Sequence, residues 1–172
     1  MKGFLGRLLG RDPVPATVAE HLAAEEAVVA TATANGGGIL VVTSWGIWPP
    51  GEPPERVGWH EIGKATWDKS ALVVIPTVAE EIAPGTELLA DAGPRRFRLA
   101  EPGKVPQAVQ ERVTGSIRSR NHRELPGGGA WVLQRKVPGR DGLVVQVRPD
   151  AGTDPIAARR LAEGIAGRLP EN

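Results

Sequence analysis

Cysteine is absent from this chain of 172 residues. Disulfides, thiolate nucleophiles and cysteine-ligated zinc or iron–sulfur centres are thereby excluded. Tyrosine is absent too, and only two phenylalanines accompany the five tryptophans. The three histidines, His21, His60 and His122, have none of the spacings that build a metal site, so no metal or other cofactor is implied. There is no apolar run of the length a membrane-spanning helix needs, and no hydrophobic leader with a small-residue cleavage site. The expectation is a cytoplasmic protein, with peripheral contact to the membrane as the one way it would meet a bilayer.

What is abundant is arginine, sixteen against five lysines, among many Ala, Gly, Pro and Val. That balance matches GC-rich bacterial coding, so the arginines need not signal phosphate binding. Net charge is +1, but it is laid out unevenly. Residues 20–91 carry three basic and eleven acidic side chains, and residues 95–148 carry twelve and four. Such halves either steer a partner or attract each other within the fold.

The pattern along the chain is mostly that of short strands. A helical stretch near 18–24 leads into a strand over 27–34, a glycine turn at 35–38, and a strand over 39–45 that is apolar on both faces, as if covered on both. Val57 and Trp59 alternate, but Ile62 breaks the period, predicting a bulge or bend near Glu61. Alternation resumes at Ala65 and Trp67, and further strands are expected over 71–77, 87–91 and 95–99. From Pro106, Val109, Val113 and Ile117 form a helical stripe that ends near Ser119, leaving Arg120 and Arg123 in a loop. A hairpin over 131–148 and a helix capped by Asp154-Pro155 close the chain. The fold class expected is α+β: a strongly bent antiparallel sheet closed by an amphipathic helix, with Trp59 and Trp67 inside, plus a C-terminal hairpin and helix. Its divisions are 1–15, an N-terminal segment and linker; 16–120, the sheet domain; and 121–172, an extension packed on it.

Strands followed by one amphipathic helix is also the order of a pleckstrin-homology-like domain. Leu22-Ala23-Ala24-Glu25-Glu26-Ala27-Val28-Val29-Ala30 resembles the leading strand of bacterial members of that superfold, of actinobacterial type. VGWHEIGKATWDK (57–69) is similar to their paired central strands, and GKVPQAVQERVTGSI (103–117) to their closing helix. The resemblance covers about 22–119, implies a split barrel, and carries no catalytic signature. Members that bind inositol phosphates place cations around the first strand-to-strand loop; here 31–43 holds none, which argues against that ligand.

No catalytic constellation appears. Read as strand neighbours, His60 and Glu61 point to opposite faces, and Ser116 has no base nearby in sequence. The glycine runs at 36–38 and 127–129 lack the lysine and following helix of a phosphate-binding loop. A non-enzymatic binding or scaffolding module is therefore expected, acting through a protein partner or the membrane surface. Its docking handle would be MKGFLGRLLGR (1–11), where Phe4, Leu5, Leu8 and Leu9 share one side of a helical wheel flanked by Lys2 and Arg7. A second candidate surface is a basic patch of Arg96, Arg98, Arg118, Arg120 and Arg123. Nucleic acid is the alternative partner for that patch, weakened by the near-zero net charge and the lack of a reading motif.

Overall fold

The computed structural model describes residues 13–169. In chain order these form α1 (Ala16–Ala19), β1 (Val28–Thr33), β2 (Ile39–Thr43), β3 (Gly46–Trp48), β4 (Val57–Gly58), a 3-10 turn (Trp59–Glu61), β5 (Ile62–Asp68), β6 (Ala71–Ala83), β7 (Thr86–Asp91) and β8 (Arg95–Arg98). They continue through α2 (Val105–Ser116), β9 (Ile117–Leu125), β10 (Gly128–Lys136), β11 (Leu143–Pro149) and α3 (Pro155–Ala166). The architecture is α+β, with a strongly curled, half-barrel sheet and few helices.

One sheet runs β1-β2-β3-β4, and a larger one runs β5-β6-β7-β11-β10-β9 with β8 also on β6. The curl is built at β6, whose first residues, 71–74, pair with β8, while 77–83 pair with β7. Pro76 sits where the partners change, the place in a long strand where a missing N–H costs least. The expectation of a wholly antiparallel sheet is corrected by β11, which pairs in parallel with β7. The chain reaches that position only after passing through α2, β9 and β10, a connection long enough to permit a parallel neighbour. Strands β9 to β11 of the expected extension thus share a sheet with β5 to β7, and residue 120 falls inside β9.

The main core lies between the sheets and α2: Ala30, Ala32, Leu40, Val42, Ile47, Trp59, Ile62, Leu72, Val74 and Leu99 pack with Val105, Ala108 and Val109 of the helix. Alanines on β1 leave room for the helix backbone to come close. On the other face of the first sheet Val41 meets Val18 and Trp48, so β2 is indeed covered on both sides. Trp48 is buried, although its proline-rich neighbourhood suggests a surface loop. Beneath the larger sheet, Ala158 and Ala162 of α3 are buried, with Ala162 packing on Ala130 and Val147. Asp154 caps this helix by accepting the Ile156 N–H at 3.1 Å, and docking offsets the cost of Gly164.

The break expected near Glu61 is present, as a 3-10 turn that carries Trp59, 3 % exposed, into the core and a bulge at Gly63 just after it. Two expectations are corrected. Trp67 is not inside: it is 37 % exposed, on an edge strand where α2 and β9 face it across an open groove. The helix stops at Ser116, whose hydroxyl donates to the Val113 carbonyl at 2.7 Å and accepts from Arg135, and Ile117 is already extended at φ −92°, ψ 117°. Arg120 and Arg123 therefore belong to β9 and not to a loop. Truncating Trp59 to alanine should cost about 3–5 kcal/mol and Trp67→Ala under about 2 kcal/mol, read from urea unfolding midpoints; equal losses would contradict this placement.

Candidate functional site

Arg135 occupies the inward position of the β10 alternation Trp131, Leu133, Arg135 and is 1 % exposed. Its Nη2 donates to the carbonyls of Trp59 at 2.7 Å and Ile62 at 2.8 Å, and its Nε donates to Ser116 Oγ at 3.0 Å. Burial, and then the charge of Arg148, pulls its pKa down to about 10, so it stays protonated at neutral pH. On β11, Gln146 Nε2 donates to the His60 carbonyl at 2.9 Å and to Glu87 at 3.0 Å. Arg148 grips Asp91 with two bonds of 2.9 and 2.8 Å and donates to the Gly63 carbonyl at 3.1 Å. Gly63 is the bulged residue of β5, and a Cβ there would lie 2.9 Å from Arg148 Nε. Three side chains of one hairpin thus hold four carbonyls of the turn into β5, those of Trp59, His60, Ile62 and Gly63.

A second polar knot is centred on Glu26, whose carboxylate accepts from Arg56 Nη1 at 2.6 Å, Thr43 Oγ1 at 2.5 Å, Trp48 Nε1 at 2.9 Å and the Ala23 N–H at 3.1 Å. Burial alone would raise this pKa, but the bonds from Thr43, Trp48 and Ala23, with Arg56, outweigh it and hold the carboxyl below its ordinary value. The Arg56 guanidinium also lies 5.0 and 5.4 Å from the Trp45 and Trp48 ring centroids, which fastens the proline-rich loop.

Between these knots two hollows flank α2. The larger, a cleft of about 850 Å³, is bounded by Trp45, Trp59, the C-terminal half of α2, Arg118 and the 136–143 segment. Gly139, beside that lining, lies against the Trp45 ring, where a Cβ would approach to 2.6 Å, at φ +78°. The smaller, a groove of about 590 Å³, runs between β5 (Gly63 to Trp67) and Ile117 and Arg120 of β9, beside Gln110, Val113 and Thr114 of α2.

The basic-patch arginines are distributed between places. Arg96 and Arg98 lie on β8, with Arg96 3.3 Å from Asp68. Arg118 is the extra residue of a bulge in β9, since Gln134 pairs with Ser119 and Arg135 with Ile117, and it lines the cleft. Arg120 lines the groove and lies 5.0 Å from the Trp131 centroid. Arg123 pairs in register with Ala130, on the face that carries α3. Phe4, Leu5, Leu8, Leu9, Lys2 and Arg7 lie outside the described residues. His60 and Glu61, brought to one side by the 3-10 turn, stand 3.9 Å apart, and burial pushes the imidazole pKa down against the pull of Glu61 and Glu87. Neither lines the cleft or the groove.

The search among known proteins adds no name. No protein-family model, curated protein or solved structure gives a significant match to this chain. No helix among the described residues is long and apolar enough to cross a membrane.

Because the Glu26 pKa is lowered in the folded state, its contribution is complete above the unfolded carboxyl pKa and is lost as pH falls through the folded one. Glu26→Gln should cost about 1–3 kcal/mol at neutral pH and nothing once the wild-type carboxyl is protonated; a penalty that persists in acid, measured by urea unfolding across pH, would refute this. Arg135→Met leaves the Trp59 and Ile62 carbonyls without that donor and should cost about 2–6 kcal/mol at any pH from 5 to 9, at about 1–3 kcal/mol for each stranded acceptor. A neutral or stabilising substitution in the same assay would show that the guanidinium is not what holds the turn.

Proposed function

We propose that this protein is a non-enzymatic binding module that takes an extended, acidic segment of a protein partner into the groove between β5 and β9. The observation that carries this is Trp67, a large indole 37 % exposed between two sheet edges. Among the described residues each of those strands has one ladder partner, β6 for β5 and β10 for β9, so each offers a row of backbone N–H and C=O groups to an added strand. Lys64 and Arg120 are the charged side chains lining the groove, and both are cationic. What the groove offers is recognition chemistry: unpaired backbone, an aromatic anchor and two positive charges. A channel between strand edges suits a chain better than a lipid plane, which favours the protein partner over the membrane surface. The curl of the sheet and the helix beside its open side support a pleckstrin-homology-like split barrel as the finer description of the fold.

Selection of peptides from a displayed random library on the full-length protein tests the reading. Enriched peptides should alternate Asp or Glu with an apolar residue, slow amide hydrogen exchange along β5 or β9, and lose about tenfold or more in affinity with Trp67→Ala. Peptides that bind Trp67→Ala as well as wild type, or that protect amides elsewhere, would sink it.

A further inference from the structure

We propose that the 850 Å³ cleft on the other side of α2 is a binding site for a small phosphate-bearing anion, independent of the strand-edge groove. Four cations line it from four different places: Arg112 on α2, Arg118 on β9, Lys136 at the end of β10 and Arg140 in the loop that follows. None of these side chains has an ion-pair or hydrogen-bond partner among the described residues, whereas Arg56, Arg96, Arg148 and Arg159 each reach a carboxylate. Three carboxylates, Glu25, Glu111 and Asp141, line the same cleft without pairing with those cations, and Glu111 accepts instead from Gln107 at 2.8 Å. Opposite charges held apart across a hollow leave the cations free for a ligand and supply acceptors for its hydroxyl or amino groups.

The cleft is also built, not merely charged. The bulge at Arg118 redirects that side chain into it, a use of bulges that recurs at sites. Trp59 forms part of the wall, and its buried Nε1–H finds no acceptor among the described residues, an expense that a native core seldom leaves unexplained. Ser116, also in the wall, accepts from Arg135, so a buried guanidinium stands directly behind the lining and adds to the positive field. Four cations against three carboxylates leave the lining one positive charge in excess, with the Arg135 guanidinium behind it; phosphate answers with several acceptor oxygens, which guanidinium forks engage in pairs. The volume lies within the range of small-molecule sites.

Titration of the full-length protein with pyrophosphate, followed by calorimetry and by the Trp59 indole N–H resonance, assigned through its loss in Trp59→Phe, tests the proposal. One pyrophosphate should bind and shift that resonance; Arg112→Ala and Arg118→Ala should each weaken binding about tenfold or more, Asp141→Asn should tighten it, and Arg160→Ala, at an exposed position of α3, should leave it unchanged. No binding at millimolar pyrophosphate by either wild type or Asp141→Asn overturns it, and so does weakening by Arg160→Ala equal to that of Arg118→Ala. Binding confined to vesicles of equal parts phosphatidylcholine and phosphatidylglycerol, with none to free pyrophosphate, would assign the phosphate chemistry to a lipid surface and overturn the small-molecule site.

Discussion

The buried guanidinium of Arg135 is the constraint on which the middle of this structure depends. A charge in the interior is tolerated only when its donors are met, and here they are met by the Trp59 and Ile62 carbonyls and the Ser116 hydroxyl. Those acceptors belong to the 3-10 turn, the first residue of β5 and the last residue of α2, three elements that no shared ladder would otherwise hold together. Satisfying one side chain therefore sets how the turn enters β5, where the helix ends, and how the β10–β11 hairpin sits against both. Gln146 and Arg148 extend the same logic along β11, each spending its donors on the carbonyls of the turn or on carboxylates of β7.

Both hollows inherit their shape from that arrangement. The end of α2 is their common wall: Glu111, Arg112, Gly115 and Ser116 turn toward the cleft, while Gln110, Val113 and Thr114 turn toward the groove. Residues one apart on a helix diverge by about 100°, so a short helical segment can serve two sites without either using the other's side chains. On β9 the bulge does what the helix does by rotation, sending Arg118 to the cleft while Arg120 lies along the groove and stacks over Trp131. A displacement of the α2–β9 junction would be felt at both places.

Much of the element order was legible because strand alternation and turn residues are local signals. The doubly apolar run 39–45 reads as a strand covered on both faces, and its strand part, Ile39–Thr43, is: Leu40 and Val42 face one cluster and Val41 the other. The uneven charge, too, resolves partly inside the molecule, where Arg96 meets Asp68 and Arg148 meets Asp91 across the acidic and basic halves. Trp67 was misread because alternation tells which face of a strand a residue takes, not whether anything covers that face at an edge. Arg120 and Arg123 were misread because helix periodicity cannot see the ladder partners downstream, Leu133 for Arg120 and Ala130 for Arg123; Ile117 leaves the helix to pair with Arg135.

The sequence by itself determined the local conformations: which runs alternate, where glycines and prolines turn the chain, and that no thiol chemistry is available. Only the tertiary structure decided that β11 would lie parallel to β7, that Arg135, between Gln134 and Lys136, would be core, that Glu26 would gather donors from residues 23, 43, 48 and 56, and that four cations would line one cleft. The reason is physical. Backbone preference and periodicity are properties of neighbours in sequence, whereas burial of a charge and convergence of side chains depend on which distant donors and acceptors the packed chain brings within bonding range.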